Sequence, residues 1–274
     1  MKNREMKKEW KIFLNAVMFL TRIRVPASID HSPEYLQKAP RYFPLIGWIV
    51  GGLSLLAFLV FNKFFSENIA LLASMITGIL TTGAFHEDGF ADVCDGFGGG
   101  WNKDKILLIM KDSRLGTFGV IGLIAILAAK FMLLKELPKF TPATLNNTLN
   151  VILNYRIFIG IMLTAHSLSR FMAVSVIQQY PYVALDDTSK SKPVTATRLS
   201  LPSLFMAAFF GLLPMVLLPA PFIFTLIPVV AARFWLAAYF NKWIGGYTGD
   251  CLGATQQVTE IVFYLSCIIV WTYF

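Results

Sequence analysis

The stretch "FHEDGFADVCDGFGGGWNKDKILLIMKDSRLGTFGV", residues 85 to 120, separates two segments apolar enough to sit in lipid. Its first part carries Glu87, Asp88, Asp92 and Asp95, followed by Gly96 and the consecutive Gly98, Gly99 and Gly100. Its second part carries Lys111, Asp112, Ser113 and Arg114. Such a concentration of charge needs explaining, because the chain around it has so little. Only 15% of the 274 residues are charged and 56% are hydrophobic, against roughly 25% charged in ordinary soluble domains, and the mean hydropathy is +0.61. These values describe a polytopic membrane protein rather than a soluble domain.

Apolar runs at 44–61, 68–85, 116–134, 150–177, 201–218, 221–240 and 253–273 come close to the roughly 20 residues that a helix needs to cross about 30 Å of hydrocarbon. The expected fold is therefore an all-α helical bundle with about seven transmembrane helices. The 150–177 run is interrupted by Asn154, Arg156, His166 and Arg170, so those side chains are expected to face other helices, since ionisable groups are costly in hydrocarbon. At the start of the chain, Trp10, Phe13, Leu14, Val17 and Met18 recur at helical spacing beside Lys7, Lys8, Lys11 and Asn15. That pattern predicts an amphipathic helix in the membrane interface. The segment ends in Arg22 and Arg24 with no small-residue cleavage site, so it does not read as a removed signal peptide. The chain shows no linker or repeat and is read as one domain, 1–274.

Basic residues favour a cytoplasmic N-terminus and place 86–115, 186–200 and 241–252 on the same inner face, with Lys130, Lys135 and Lys139 counting against this orientation. The net charge of +8 follows topology rather than forming a nucleic-acid patch. Cys94, Cys251 and Cys267 lack zinc spacing and are too few for a disulfide framework.

Asp88, Asp92 and Asp95 stand at i, i+4 and i+7, so a helix continuing from the second span carries all three carboxylates on one face. Carboxylates this close repel unless a cation joins them. A hard divalent ion such as Mg²⁺ suits oxygen ligands and completes its shell with water and substrate phosphates. The glycines that follow, Gly98 and Gly99 among them, allow backbone N–H groups to approach a phosphate and are expected to end the helix. Lys111 and Arg114 can hold anionic oxygens.

The segment "GYTGDCLGATQQVTE", 246–260, adds Asp250 between glycines and Glu260 within the last span, with Gln256 on the same face as Glu260. Glu260 is a functional candidate as an acid in a membrane helix. The alternative for it is a structural ion pair with Arg233 or Arg170. His86 is a candidate general base, while His31 and His166 are read as structural and Glu87 as pointing away from the metal face. Together the clusters describe a metal-assisted reaction on a phosphate or diphosphate at one membrane face.

At these residues the chain resembles the cobalamin synthase family of integral membrane ribazoletransferases. The resemblance runs through "FLTRIRVP" (19–26), "RYFPLIGWIVGG" (41–52), "FHEDGFADVCDGFGGG" (85–100), "MKDSRLGTFGVIGL" (110–123), "HSLSRFMAV" (166–174), "YPYV" (180–183) and "GDCLGATQQVTE" (249–260). It implies a Mg²⁺-dependent transfer in the bacterial cytoplasmic membrane, with the active site facing the cytoplasm. Adenosylcobinamide-GDP and α-ribazole, or its 5′-phosphate, are joined and GMP is released. It also implies Asp88, Asp92 and Asp95 as metal ligands. Lys111, Asp112, Ser113 and Arg114, with Gly98 and Gly99, fall at substrate-binding positions, and His86, Asp250 and Glu260 at catalytic ones. Either Asp250 or His86 helps deprotonate the nucleophile. The chain departs from the family pattern at Glu87, where an apolar residue is expected, and at Ala184 and Leu185, where a basic one is expected after "PYV".

Lipid is thus an expected partner and nucleic acid is not; a homo-oligomer is compatible with the fold. The rival readings are a different Mg²⁺-dependent membrane phospho- or prenyltransferase, whose fuller aspartate motifs are missing here, and an ion-coupled transporter. A transporter favours midplane acids and repeated halves, whereas these acids concentrate near one face.

Overall fold

A computed structural model describes residues 2–27, 29–30, 32–137, 148–183 and 192–273. His31, Lys139, Ala184, Leu185 and Lys190, and the side chains of Lys7 and Asn154, lie outside the described residues. The described residues form helices joined by short turns and carry no sheet. Only an isolated parallel bridge, Tyr182 with Tyr247, has strand-like pairing. The helices are α1 (Lys2–Leu20), α2 (Pro33–Leu36), α3 (Phe43–Phe61), α4 (Glu67–Thr82), α5 (Phe85–Gly99), α6 (Lys103–Lys111), α7 (Thr117–Glu136), α8 (Thr148–Ile177), α9 (Lys192–Thr195), α10 (Leu201–Leu212), α11 (Leu226–Ile244) and α12 (Gly249–Tyr273).

Among the described residues, 5 helical stretches are long and apolar enough to cross a membrane, or 6 if a bent pair counts as one span. The sequence expectation was about seven. Each of the seven apolar runs does become a helix. The run at 68–85 is curtailed to α4, however, and the one at 201–218 yields only the short apolar stretch Leu201–Leu217. Large apolar side chains face outward along the bundle: Ile121 and Ile124 on α7, Leu72 and Leu80 on α4, Phe205 on α10 and Trp235 on α11. Exposed apolar bands of this kind require a non-aqueous surround, and the chain is a membrane protein.

α8 runs through the middle of the bundle. Helices α3 and α12 pack on it, and its buried side chains Ile157, Ile161, Ala165 and Leu168 join Phe58, Leu71 and Phe263 in the main apolar core. Glycines on neighbouring helices permit the close approach. A Cβ on Gly47 of α3 would fall 2.4 Å from the His166 carbonyl oxygen, so the α3–α8 contact is backbone against backbone, as membrane helix packing favours. His166 and Arg170 face the interior as expected, whereas Arg156 is exposed and donates to the Val216 carbonyl.

The N-terminal helix forms, and much of its apolar face packs on the rest of the bundle. Ile12, Ala16, Val17 and Leu20 are buried against Tyr42, Phe43, Ile46 and Val174, leaving Trp10 and Met18 outward.

The decisive local feature is the break between α4 and α5. Gly83 and Ala84 both have left-handed backbone, φ +67° and +59°, and the two helices meet at 87°. Gly83 is needed twice over, since a Cβ there would also strike the Arg22 side chain. The acidic helix therefore does not continue the second span, as the sequence suggested. It turns almost perpendicular to α4, so the pair is bent rather than one straight span.

Candidate active site

α5 presents two faces. Asp88 is exposed and Asp92 half-buried on one, while His86 and Glu87 are buried on the other. α5 and α12 cross through glycines. A Cβ on Gly89 would meet Asp250 Cα at 3.0 Å, and one on Gly253 would meet the His86 carbonyl oxygen at 3.2 Å. Larger residues at either position would hold the helices apart. The crossing brings Asp250, in the first turn of α12, within electrostatic reach of Asp88 and Asp92.

Local pairings fix the start of α12. Thr248 Oγ1 accepts from Cys251 N at 3.2 Å, as an N-terminal cap does. The preceding turn is clamped to the "YPYV" segment, with Val183 N donating to the Tyr247 carbonyl at 2.8 Å and Tyr247 N to the Pro181 carbonyl at 3.1 Å. Tyr247 Oη donates to the Thr195 carbonyl at 2.6 Å.

Asp95 departs from its expected role beside Asp88 and Asp92. It is buried, its Oδ2 accepts from Gly116 N at 2.7 Å and its Oδ1 from Gly119 N at 2.8 Å. A carboxylate with both oxygens on N–H groups at a helix start is a capping group, favoured there by the helix dipole. Asp95 thus ties α5 to α7 and anchors the 111–114 segment that leads into it.

The glycine run ends the helix as expected, but only at its last member. Gly96, Gly98 and Gly99 are helical, and only Gly100 leaves α5. Their N–H groups are used along the helix, and the missing Cβ atoms serve packing. A Cβ on Gly98 would sit 2.6 Å from the Phe118 ring and one on Gly96 2.5 Å from Met110.

Lys111 ends α6 and is exposed, as are Ser113 and Arg114. Arg114 folds back on Asp112, with Nη2 to Oδ2 at 2.6 Å and Nε to Oδ1 at 3.0 Å. The Arg114 hydrogen bond holds the Asp112 carboxyl low, at about 2, so the pair stays ionised through neutral pH.

Glu260 is separated from Asp250 by about 15 Å of helix rise and belongs to a different group. Its Oε1 lies 2.6 Å from Lys130 Nζ, rather than pairing with Arg233 or Arg170. Tyr264 Oη donates to the same oxygen at 3.1 Å, and Gln256 Nε2 donates to Oε2 at 2.6 Å. Gln257 Nε2 donates to Glu87 Oε1 at 3.1 Å, which gives Glu87 a role at the α5–α12 contact. Arg233 instead bonds Ser175 and Gln179. Lys130 is buried and paired, so it carries no weight as a topology signal. His86, Glu87, Lys130, His166, Arg170 and Glu260 all border one deep polar pocket.

Sequence reading passed over the Gly89–Gly253 crossing, the Lys130 partner and the position of Arg22, whose backbone N bonds the Thr81 carbonyl at 2.8 Å beside the α4–α5 break. The two glycines were visible beside Asp88 in "EDGF" and one turn after Asp250 in "DCLG", but nothing in one sequence says that they face each other.

Among the described residues, no three His, Cys, Asp or Glu side chains form a ready-made metal shell, and no ion pair joins Asp88, Asp92 or Asp250 to a cation. What stands together is an oxygen-only set of uncompensated carboxylates, partly open to the outside. That set fits a hard divalent cation, which draws only one or two ligands from protein and the rest from water and phosphate.

The cobalamin-5-phosphate synthase family model matches residues 12–268. The chain is 41% identical to the adenosylcobinamide-GDP ribazoletransferase of Leptospira interrogans, covering 97% of this chain and 98% of the relative. It is 40% identical to the enzyme of that name from Shewanella oneidensis, covering 96% and 95%. The counterpart in Shewanella piezotolerans is 41% identical over 96% of this chain and 97% of its own. No solved structure matches the chain.

Proposed function

This chain belongs to the cobalamin-5-phosphate synthase family, and from that premise we propose that it joins adenosylcobinamide-GDP to α-ribazole or its 5′-phosphate, releasing GMP. The observation that carries the reading is the crossing of α5 and α12, which gathers Asp88, Asp92 and Asp250 with no ion-paired cation among the described residues.

Asp88 and Asp92 would hold Mg²⁺, which when bound neutralises diphosphate charge and stabilises the leaving oxygen. Asp250 faces them from the capped start of α12. It takes the proton of the ribazole 3′-hydroxyl as that oxygen attacks the cobinamide-linked phosphorus and the bond to GMP breaks. His86 sits on the opposite face of α5 from the open carboxylates, which favours Asp250 over His86 as the base. Lys111 and Arg114 meet the diphosphate, with Arg114 exchanging its bond to Asp112 for phosphate oxygens of matching fork geometry. Asp95 keeps this segment in place through Gly116 and Gly119. Glu260 acts at a distance, as part of the buried network that supports the α5 and α12 crossing. The site faces the cytoplasm from the bacterial inner membrane, where the basic 103–114 segment belongs.

Membranes containing the protein should release GMP from adenosylcobinamide-GDP only when α-ribazole and Mg²⁺ are both supplied. Release that continues in chelator would overturn the metal assignment; no release under any condition would overturn the reaction.

A further inference from the structure

We propose that the deep polar pocket behind α5 is a binding site for one ordered water molecule, which joins Glu87 of α5 to His166 and Arg170 of α8. The pocket lies among α3, α4, α5, α7, α8 and α12, and its polar lining includes Glu87, Lys130, His166, Arg170, Gln256 and Glu260. Its volume is about 10 Å³. That is roughly the room one water needs, and too little for a substrate group or a hydrated ion.

Polar atoms without partners concentrate on this lining. Of the seven buried side-chain atoms that lack a hydrogen-bond partner among the described residues, three belong here: Glu87 Oε2, His166 Nδ1 and Arg170 Nε. The three residues are only 8%, 4% and 3% exposed, so bulk water does not serve them. Their neighbouring atoms are already engaged. Glu87 Oε1 accepts from Gln257 Nε2 at 3.1 Å, and Arg170 Nη1 donates to the His166 carbonyl at 2.8 Å. A Cβ on Gly51 of α3 would lie 3.0 Å from His166 Cδ2. That edge of the ring therefore faces α3, and Nδ1 is on the other edge.

Leaving three such atoms dry is costly. One water can serve all of them, donating to the carboxylate oxygen and to an unprotonated ring nitrogen while it accepts from the guanidinium N–H. An ion cannot. A cation would meet the Arg170 donor and the Lys130 ammonium, and an anion the carboxylates of Glu87 and Glu260. The lining's two acids and two bases already balance in formal charge, so the occupant that fits is neutral and both gives and takes hydrogen bonds. The water supplies the buried face of α5 with a link to α8 in addition to its contact with α12 through Gln257. The site stands independently of the reaction proposed above.

A crystal structure of the full chain in a lipid mesophase, at a resolution that shows ordered water, tests the proposal. One peak should stand within about 2.5–3.2 Å of Glu87 Oε2 and of His166 Nδ1 or Arg170 Nε. Soaking with rubidium should leave that peak without anomalous signal. An empty pocket, a peak that takes up rubidium, or the three atoms paired with one another would each overturn the proposal. Glu87→Leu has similar bulk and no acceptor, so in that variant the peak should be lost; a peak that stays in place would overturn the bridge to α5. If the variant fails to fold, the map of the unaltered protein still decides.

Discussion

Glu260 and Lys130 meet at 2.6 Å inside the helix bundle, from α12 and α7, with the carboxylate 2% exposed. The pair ties the last helix to the one that follows the Lys111–Arg114 segment. Gln256 and Gln257 extend the network through Glu87 to α5. A deep set of bonds thus holds together the helices whose ends form the proposed reaction site.

Removing one member of a buried ion pair leaves the other uncompensated, at about 3–5 kcal/mol. Glu260→Gln and Lys130→Met should each lower the melting temperature in detergent sharply, while the double variant should recover part of the loss. A simply additive double variant would contradict the pairing.

Asp95 and Asp92 should separate in their effects. Asp95→Asn loses the cap on α7, worth about 0.5–2 kcal/mol, and should reduce turnover and stability with the apparent Mg²⁺ affinity unchanged. Asp92→Asn removes a charge from a like-charged group, so stability should hold or rise as apparent Mg²⁺ affinity falls. Magnesium titrations of initial rate, beside thermal scans, distinguish the two.

Gly89→Val places a branched side chain where a Cβ already meets Asp250 Cα at 3.0 Å. Forcing extra atoms into a packed contact costs about 1–3 kcal/mol. Turnover should fall much further than stability, because the variant parts Asp250 from α5 without removing any acid. Unchanged kcat would show that the crossing is not what assembles the site.

The α4–α5 break stores strain at Ala84, whose φ of +59° is unfavourable for an L-residue by about 1–2 kcal/mol. Ala84→Gly should raise the melting temperature modestly, since part of the relief is lost to the freer unfolded chain. Gly83→Ala should lower it, through both its φ and contact with Arg22.

Arg114 is exposed and, among the described residues, its ion pair is with Asp112. Arg114→Lys keeps the charge but loses the fork. The KM for adenosylcobinamide-GDP should rise on the order of tenfold, with the melting temperature unmoved because exposed pairs contribute little. Steady-state kinetics with each substrate varied in turn checks this.

Hydrophobic runs and sparse charge were enough to read a helical membrane protein, because the bilayer leaves few ways to satisfy a backbone. The "HEDGFADVCD", "KDSR" and "GD" segments likewise stood out as candidates for the chemistry, since acids and bases are expensive beside lipid. Their individual duties were not. Periodicity put Asp88, Asp92 and Asp95 on one helical face, but whether a carboxylate meets a substrate or a helix end depends on what packs opposite it. For Asp95 that partner is the start of α7, some 20 residues on. Spacing could not reveal that Glu260 faces Lys130, or that Gly98 makes room for Phe118. The sequence determined the solvent of the protein and the residue types of its site, because both are set by composition and local period. Tertiary structure alone decided which acids stand together, because that follows from an 87° turn at Gly83–Ala84 and a crossing at two glycines, contacts between segments far apart in the chain.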